Sequence, residues 1–152
     1  MDNFIRVYEN AFSNELCDRL ISKFESTPDS NKERHDMGEM HFSQVNFRAC
    51  GWKQEQNELV NIFLSHTKKY TDDVGITTEF PQKYALEDIR LKKYMPDGHD
   101  QFGPHVDVVD KNTSTRFLVF FVYLDDNISG GTHFDRINLT SPCKKGSILI
   151  FP

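Results

Sequence analysis

The segment that decides the fold lies in the last third of the chain, with the sequence Arg116-Phe-Leu-Val-Phe-Phe-Val-Tyr-Leu124. After Arg116 every residue is apolar, apart from the hydroxyl of Tyr123, so a strand here would be apolar on both of its faces. A strand that is apolar on both faces is typical of the centre of a sheet. Residues 116–124 are therefore predicted to form a central β-strand.

Further short elements are predicted on either side of this strand. Strand-like segments separated by Gly, Asp and Asn turns cover residues 4–8, 44–48, 84–95, 106–109, 132–139 and 147–151. Helical spacing of apolar residues predicts one helix that begins at Ser13-Asn14-Glu15 and another over residues 53–70. The polar stretch between Thr27 and His41 carries no such pattern. Helices followed by a run of short strands predict one α+β domain over residues 1–152, with a sandwich or barrel of strands.

Composition excludes several classes of protein. The 152 residues are 38% apolar and include 13 Phe, which is enough for a packed core without disulfides. A net charge of -5 without a basic stripe argues against binding nucleic acid. The three cysteines lack the spacing of zinc ligands, and their odd number does not suit a disulfide framework. The sequence shows no pattern of a signal peptide and no apolar run long enough to span a membrane. We therefore expect a soluble cytoplasmic protein with reduced thiols and no membrane partner.

Two His-x-Asp pairs are candidates for metal binding, His105-Val-Asp107 and His133-Phe-Asp135. Residues two apart on a strand share a face, so each pair can direct an imidazole and a carboxylate at one ion. A pair of this kind is more often an exposed polar pair at a strand end. Context favours His105, because a glycine-containing loop after Tyr94 precedes it and would leave it at a rim.

The order of these motifs resembles the prolyl-4-hydroxylase-like branch of the Fe(II)- and 2-oxoglutarate-dependent dioxygenases. The matching features occur in sequence: Tyr94 before a Pro/Gly loop, His105-x-Asp107, Tyr123-Leu-Asp125, Gly130-Gly-Thr132-x-Phe134, and Pro142 with Gly146 before Phe151-Pro152. The strand-to-helix opening also fits, and the resemblance covers nearly the whole chain except the generic residues 27–80.

The resemblance implies a double-stranded β-helix (jelly roll) with flanking N-terminal helices. It implies an Fe(II) site with His105 and Asp107 as two of three protein ligands, and a 2-oxoglutarate pocket lined by Tyr94, Tyr123 and Thr132. The implied reaction consumes O2 and hydroxylates a C–H bond of a protein or peptide substrate, most of all at a prolyl residue. It releases succinate and CO2, with ascorbate as an accessory reductant.

The sequence departs from the family at its end. In the family the distal iron-binding His and the basic residue for 2-oxoglutarate follow the Phe-Pro strand, whereas this sequence stops at Pro152. We expect a domain truncated at its C-terminal end. The alternatives are a catalytically incomplete jelly-roll binding module and a site completed by a second chain. A zinc hydrolase is a third reading, without a full ligand set in the sequence.

Other residues are excluded from the predicted site. Arg116 lies seven residues from Tyr123, so the two would point to opposite faces of an unbulged strand. His133 sits in the Gly-Gly-Thr-x-Phe segment rather than at the distal-ligand position. The remaining histidines are expected to face solvent: His35, His41, His66 and His99.

Overall fold

The computed structural model describes residues 4–152, which form an α+β structure. Its helices are α1 (Asn14–Ser26) and α2 (Lys53–Val74), and its strands are β1 (Arg6–Tyr8), β2 (Glu33–Met37), β3 (Met40–Asn46), β4 (Arg90–Lys93), β5 (Gln101–Phe102), β6 (Val119–Val122), β7 (His133–Phe134), β8 (Leu139–Thr140) and β9 (Ile148–Phe151). Within the described residues, no helix is both long and apolar enough to cross a membrane.

The strands pair in antiparallel sheets. One sheet has the order β1-β9-β6, a second has β3 between β2 and β4 with β5 also pairing β3, and β7 pairs with β8. None of these sheets closes on itself within the described chain. The predicted α+β class is therefore confirmed, at the level of mixed helices and open antiparallel sheets.

The chain divides into two compact units, each assembled from separate segments. The first unit contains Met1–Lys23, Ile62–Pro81 and Arg116–Pro152, and the second contains Phe24–Asn61 and Gln82–Thr115. Two of the boundaries between the units fall inside helices: the one after Lys23 lies in α1, and the one before Ile62 lies in α2.

The core of the first unit is built around β9. Ile148, Leu149 and Ile150 are fully buried, and β9 lies between β1 and β6 in its sheet. The prediction that residues 116–124 form the central strand is wrong: β6 covers only Val119–Val122 and pairs only with β9 among the described strands. Strand β9, although short, is central because it pairs on both sides and because its side chains from Ile148 to Ile150 are fully buried.

The first helix begins as the sequence predicts. The Ser13 hydroxyl accepts a hydrogen bond from the Leu16 backbone N–H at 3.2 Å, which satisfies one of the free donors of the first turn. Leu16 and Leu20 are buried on the same face of α1. Capping and apolar spacing together account for this helix.

The second unit contains a hairpin that the sequence pattern did not indicate. Residues assigned to an irregular polar stretch form β2 and part of β3, which pair in register from Glu33 opposite Gln44 to Met37 opposite Met40. Only β3 contributes to the core, through Phe42 and Val45. Strand β2 is mostly exposed on both faces, so no apolar alternation marks it.

Several predicted strands are shorter or absent. Residues 106–109 form no strand, so His105 and Asp107 lie in a loop rather than on one strand face. Residues 84–95 contain only the strand Arg90–Lys93, and residues 132–139 contain β7 followed by the short 3-10 helix Asp135–Ile137. Asn138, just after that helix, has a positive φ of 50° in the left-handed region and separates the helix from β8.

Candidate functional site

The loop before the candidate metal ligands is fixed by its own carboxylates. Asp97 Oδ1 accepts the backbone N–H groups of His99 at 2.9 Å and Asp100 at 3.2 Å. Asp100 in turn accepts the Met95 N–H at 2.9 Å and both Nη atoms of Arg34, at 3.0 and 2.6 Å. The Arg34 guanidinium, with the Met95 N–H, lowers the pKa of Asp100 to about 2. The path from β4 to β5 is therefore held by charge-assisted hydrogen bonds.

His105 and Asp107 lie side by side in the segment after β5. The Nε2 atom of His105 is 3.5 Å from Asp107 Oδ1, and each side chain is 38% exposed. The Nδ1 atom of His105 is 3.0 Å from the Gly103 carbonyl oxygen, which can only accept a hydrogen bond. Nδ1 therefore carries the proton, and the lone pair of a neutral His105 ring is on Nε2, beside the carboxylate. Metal-ligating histidines are oriented in this way.

The second His-x-Asp pair has a similar separation and a different orientation. His133 Nε2 is 3.4 Å from Asp135 Oδ1, but its Nδ1 contacts the Thr140 hydroxyl at 2.8 Å. A hydroxyl both donates and accepts, so this contact does not fix the proton on Nδ1. Asp135 is also more exposed, at 64% of its side chain. His105 is thus the better oriented of the two imidazoles.

An aromatic cluster with a lysine borders the His105 ring. The Phe102 ring packs edge-on against His105 with centroids 4.3 Å apart, and Phe42 lies 5.3 Å from Phe102. Lys92 Nζ is 4.0 Å from the Phe102 centroid and 4.6 Å from that of Phe42. Desolvation lowers the pKa of Lys92, with Arg90 adding to this effect and the charge of Asp107 opposing it.

Tyr94 belongs to the same cluster. Its ring lies 5.7 Å from Phe42, and desolvation, followed by the nearby Asp100 charge, raises its pKa to about 12. The residue keeps 44% of its surface exposed. Tyr94 is therefore a neutral hydroxyl at ordinary pH, next to the cluster that borders His105.

Tyr123 and Thr132 meet in the first unit. The Tyr123 hydroxyl lies 2.7 Å from Thr132 Oγ1 and 2.8 Å from Ser141 Oγ, and it accepts the Thr132 N–H at 3.2 Å. Ser141 is 3% exposed. The sequence indicated Tyr123 and Thr132, whereas Ser141 was missed because a lone serine before Pro142 carries no signal of its own.

A group of three potential metal ligands occurs in the second unit. Asp36, His41 and His99 place one ligand atom each within 4.8 Å of one another. His41 Nδ1 makes a short contact with Asp36 Oδ1, and His99 Nε2 is 3.2 Å from the same oxygen. Hydrogen bonds from His41 first and His99 second lower the pKa of Asp36. The expectation that His41 simply faces solvent is wrong, since it is half-buried and contacts this carboxylate.

The structure therefore brings together some predicted site residues in each unit. His105, Asp107 and Tyr94 occur in the second unit, and Tyr123 and Thr132 in the first. Among residues 4–152, no third His, Cys or carboxylate groups with His105 and Asp107 within metal-binding distance. Arg116, which the sequence excluded from the site, does not lie on β6 at all.

Comparisons with family models, curated proteins and solved structures gave no match to this chain. The site residues and their geometry are thus the basis for a function.

Proposed function

We propose that this chain carries part of the active site of an Fe(II)- and 2-oxoglutarate-dependent dioxygenase with a jelly-roll fold. Its reaction hydroxylates a C–H bond, most of all that of a prolyl residue in a protein or peptide, and releases succinate and CO2. The observation that carries the proposal is the hydrogen bond from His105 Nδ1 to the Gly103 carbonyl, which leaves Nε2 beside Asp107.

The two side chains fit the metal in both chemistry and distance. Nitrogen from imidazole and oxygen from carboxylate are the ligand types of non-haem Fe(II) centres, which use two histidines and one carboxylate. His105 Nε2 and Asp107 Oδ1 are 3.5 Å apart, which is close enough for both atoms to bind one ion. Iron and 2-oxoglutarate, when bound, would supply the activation of O2. The protein's own contribution is to hold His105 in one tautomer and orientation.

Lys92 is the residue of this unit best suited to attract an anionic co-substrate. Its ammonium group lies over two phenyl rings and forms no ion pair with a carboxylate in the described part of the chain. A partly desolvated cation without an anion is costly, so a bound carboxylate would offset that cost. We assign Lys92 the attraction of 2-oxoglutarate to the cluster that borders His105.

The neutral hydroxyl of Tyr94 is available as a hydrogen-bond donor in the same cluster, since its pKa of about 12 keeps it protonated. The roles of Tyr123 and Thr132 in binding 2-oxoglutarate rest on the resemblance alone. The identity of the prolyl substrate rests on it as well.

The test compares the two His-x-Asp pairs in the polypeptide expressed from its native reading frame, after its intact mass has been measured. Under anaerobic conditions, Fe(II) plus 2-oxoglutarate should produce a weak visible charge-transfer band. His105→Ala should abolish the band and the succinate release that depends on a prolyl peptide. The matched variant His133→Ala should retain both. Lys92→Met should raise the 2-oxoglutarate concentration needed for half of the band.

The charge-transfer band also defines the result that would contradict the proposal. If the band is absent from the wild type, or is as strong in His105→Ala as in His133→Ala, the dioxygenase assignment is wrong. A jelly-roll module that only binds a protein partner then becomes the better explanation. The observation that favours the binding module is that no third ligand accompanies His105 and Asp107 in the described residues.

A further inference from the structure

We infer that Asp36, His41 and His99 form a second divalent transition-metal site, separate from the His105–Asp107 pair. The residues come from three places in the second unit: Asp36 from β2, His41 from β3 and His99 from the loop before β5. Asp36 and His41 are direct cross-strand partners in the hairpin. Cross-strand neighbours have Cβ atoms about 5 Å apart, which is close enough for both side chains to reach one ion.

The carrying observation is the hydrogen bonding of the His41 ring. Its Nε2 atom is 2.8 Å from the Gly38 carbonyl oxygen, which can only accept, so Nε2 bears a proton. In the neutral ring the Nδ1 lone pair then faces Asp36 Oδ1, with which it makes a short contact. Two acceptors in contact repel each other unless a cation lies between them or the ring takes up a second proton. A metal ion bound by both atoms would remove this repulsion once the two side chains rotate apart, and the Gly38 carbonyl supplies the outer hydrogen bond that orients such ligands.

His99 is the third candidate ligand, and it contacts the same oxygen of Asp36 as His41 does. Its Nε2 is 3.2 Å from Asp36 Oδ1, and its ring centroid is 4.1 Å from that of His41. Ligand atoms bound to one ion at about 2.1 Å are separated by about 3.0 to 3.5 Å. The three atoms lie within 4.8 Å of one another, so small side-chain rotations complete the site. Two imidazoles and one carboxylate favour Zn2+, Fe2+, Co2+ or Ni2+ over Ca2+ or Mg2+.

The charged groups around Asp36 have a net negative charge, which favours binding of a cation. Arg34 Nη2 lies 4.0 Å from Asp36 Oδ1, but the same guanidinium is engaged by both oxygens of Asp100. The formal charge of Arg34, Asp100 and Asp36 together is negative when the histidines are neutral. A bound ion would join the hairpin to the loop 95–100, which Arg34 and Asp100 already connect. Its role is thus to fix the segment that leads to His105.

Zinc is the probe, because it needs no reductant and does not turn over. The chain is freed of metal and titrated calorimetrically with Zn2+ about one pH unit above the ordinary imidazole pKa of about 6.5, where the ligands are neutral. The wild type and His105→Ala should both bind Zn2+ at this site. Asp36→Asn and His99→Asn should weaken that binding at least about 10-fold. Glu39→Gln, which removes a charge from the same exposed turn without removing a ligand, should leave it unchanged.

Two further measurements separate the metal site from an ordinary ion pair. Ring-nitrogen NMR should show His41 Nδ1 shifting on addition of Zn2+ while Nε2 keeps its proton. The Tm should rise with the logarithm of Zn2+ concentration in His105→Ala and not in the double variant His105→Ala/Asp36→Asn. The inference is overturned if, in the His105→Ala background, Asp36→Asn binds Zn2+ as tightly as Glu39→Gln, or if His105→Ala alone loses all zinc binding. Neither result bears on the charge-transfer test of the proposed dioxygenase.

Discussion

Among the described residues, three imidazoles contact a backbone carbonyl oxygen, and two of these three also face a carboxylate. His105, His41 and His66 each contact a backbone carbonyl oxygen, at 3.0, 2.8 and 2.8 Å. The far nitrogens of His105 and His41 lie beside Asp107 and Asp36, whereas His66 contacts its own helix and the Tyr8 ring. The carbonyl alone is thus a structural contact, and both metal-site proposals rest on its combination with a carboxylate.

The ion pair between Arg34 and Asp100 gives a prediction about acid stability. The folded pKa of Asp100, about 2, lies below the ordinary value of about 3.9. A lowered carboxyl pKa stabilises the fold above about pH 4, and this stabilisation is lost as the pH falls toward 2. Asp100→Asn should therefore lower the Tm at neutral pH and flatten its decline between those limits, as measured by thermal unfolding at a series of pH values.

Asp29→Asn is the control for that variant. Asp29 also forms an ion pair, in its case with Lys32, but the Asp29 side chain is 98% exposed. An exposed pair of this type contributes little to stability. Equal pH profiles for the two variants would contradict the assigned role of Asp100.

The Tyr123 hydroxyl is the centre of the small polar network in the first unit. Tyr123→Phe removes the partner of both Thr132 and the buried Ser141, so we expect a loss of about 1–3 kcal/mol in the free energy of unfolding. Thr132→Val should show a coupling with Tyr123→Phe of about 0.5 kcal/mol or more in a double-mutant cycle followed by urea denaturation. Strict additivity of the two changes would argue that the hydroxyls do not interact.

At the scale of elements, β9 is the strand on which the first unit depends. Ile150 is fully buried and lies opposite Arg6 on β1 and Phe120 on β6. Ile150→Ala should cost about 2–5 kcal/mol in the free energy of unfolding, through lost apolar burial and the cavity that remains. Ile128→Ala is the matched control, because that isoleucine is fully exposed and should change stability by less than about 0.5 kcal/mol. Denaturation curves that overlap for the two variants would contradict the central position of β9.

Elements with one apolar face were predictable, and elements without one were not. Helix α1 combines a serine cap with Leu16 and Leu20 at helical spacing, and it begins at Asn14, inside the predicted start Ser13-Asn14-Glu15. Strand β2 has charged residues on both faces and is held by pairing with β3, which is a tertiary property. The error at residues 116–124 has a related cause, since apolarity on both faces does not say which strands pair on either side.

The candidate site shows the same division between local and tertiary information. His105 and Asp107 are two residues apart, so their proximity follows from spacing even though they lie in a loop rather than a strand. The group of Asp36, His41 and His99 depends on the hairpin register and on the loop before β5, neither of which has a local signature. Lys92 was missed for the same reason, because its position over two rings requires β3, β4 and β5 to pair.

At the scale of the whole molecule, the sequence predicts one domain, and the two compact units allow that prediction to be tested. Helix α2 contributes to both units, with Ile62 at the division, and a helix melts cooperatively along its length. Melting of either unit should therefore propagate, and we expect a single unfolding transition. Trp52, the only tryptophan, packs 4.8 Å from Phe47 and reports on the second unit by fluorescence, while the Ile148 and Ile150 methyl signals report on the first by NMR. Coincident midpoints in urea would support one domain, and midpoints that differ beyond their fitting error would show two independently folding units.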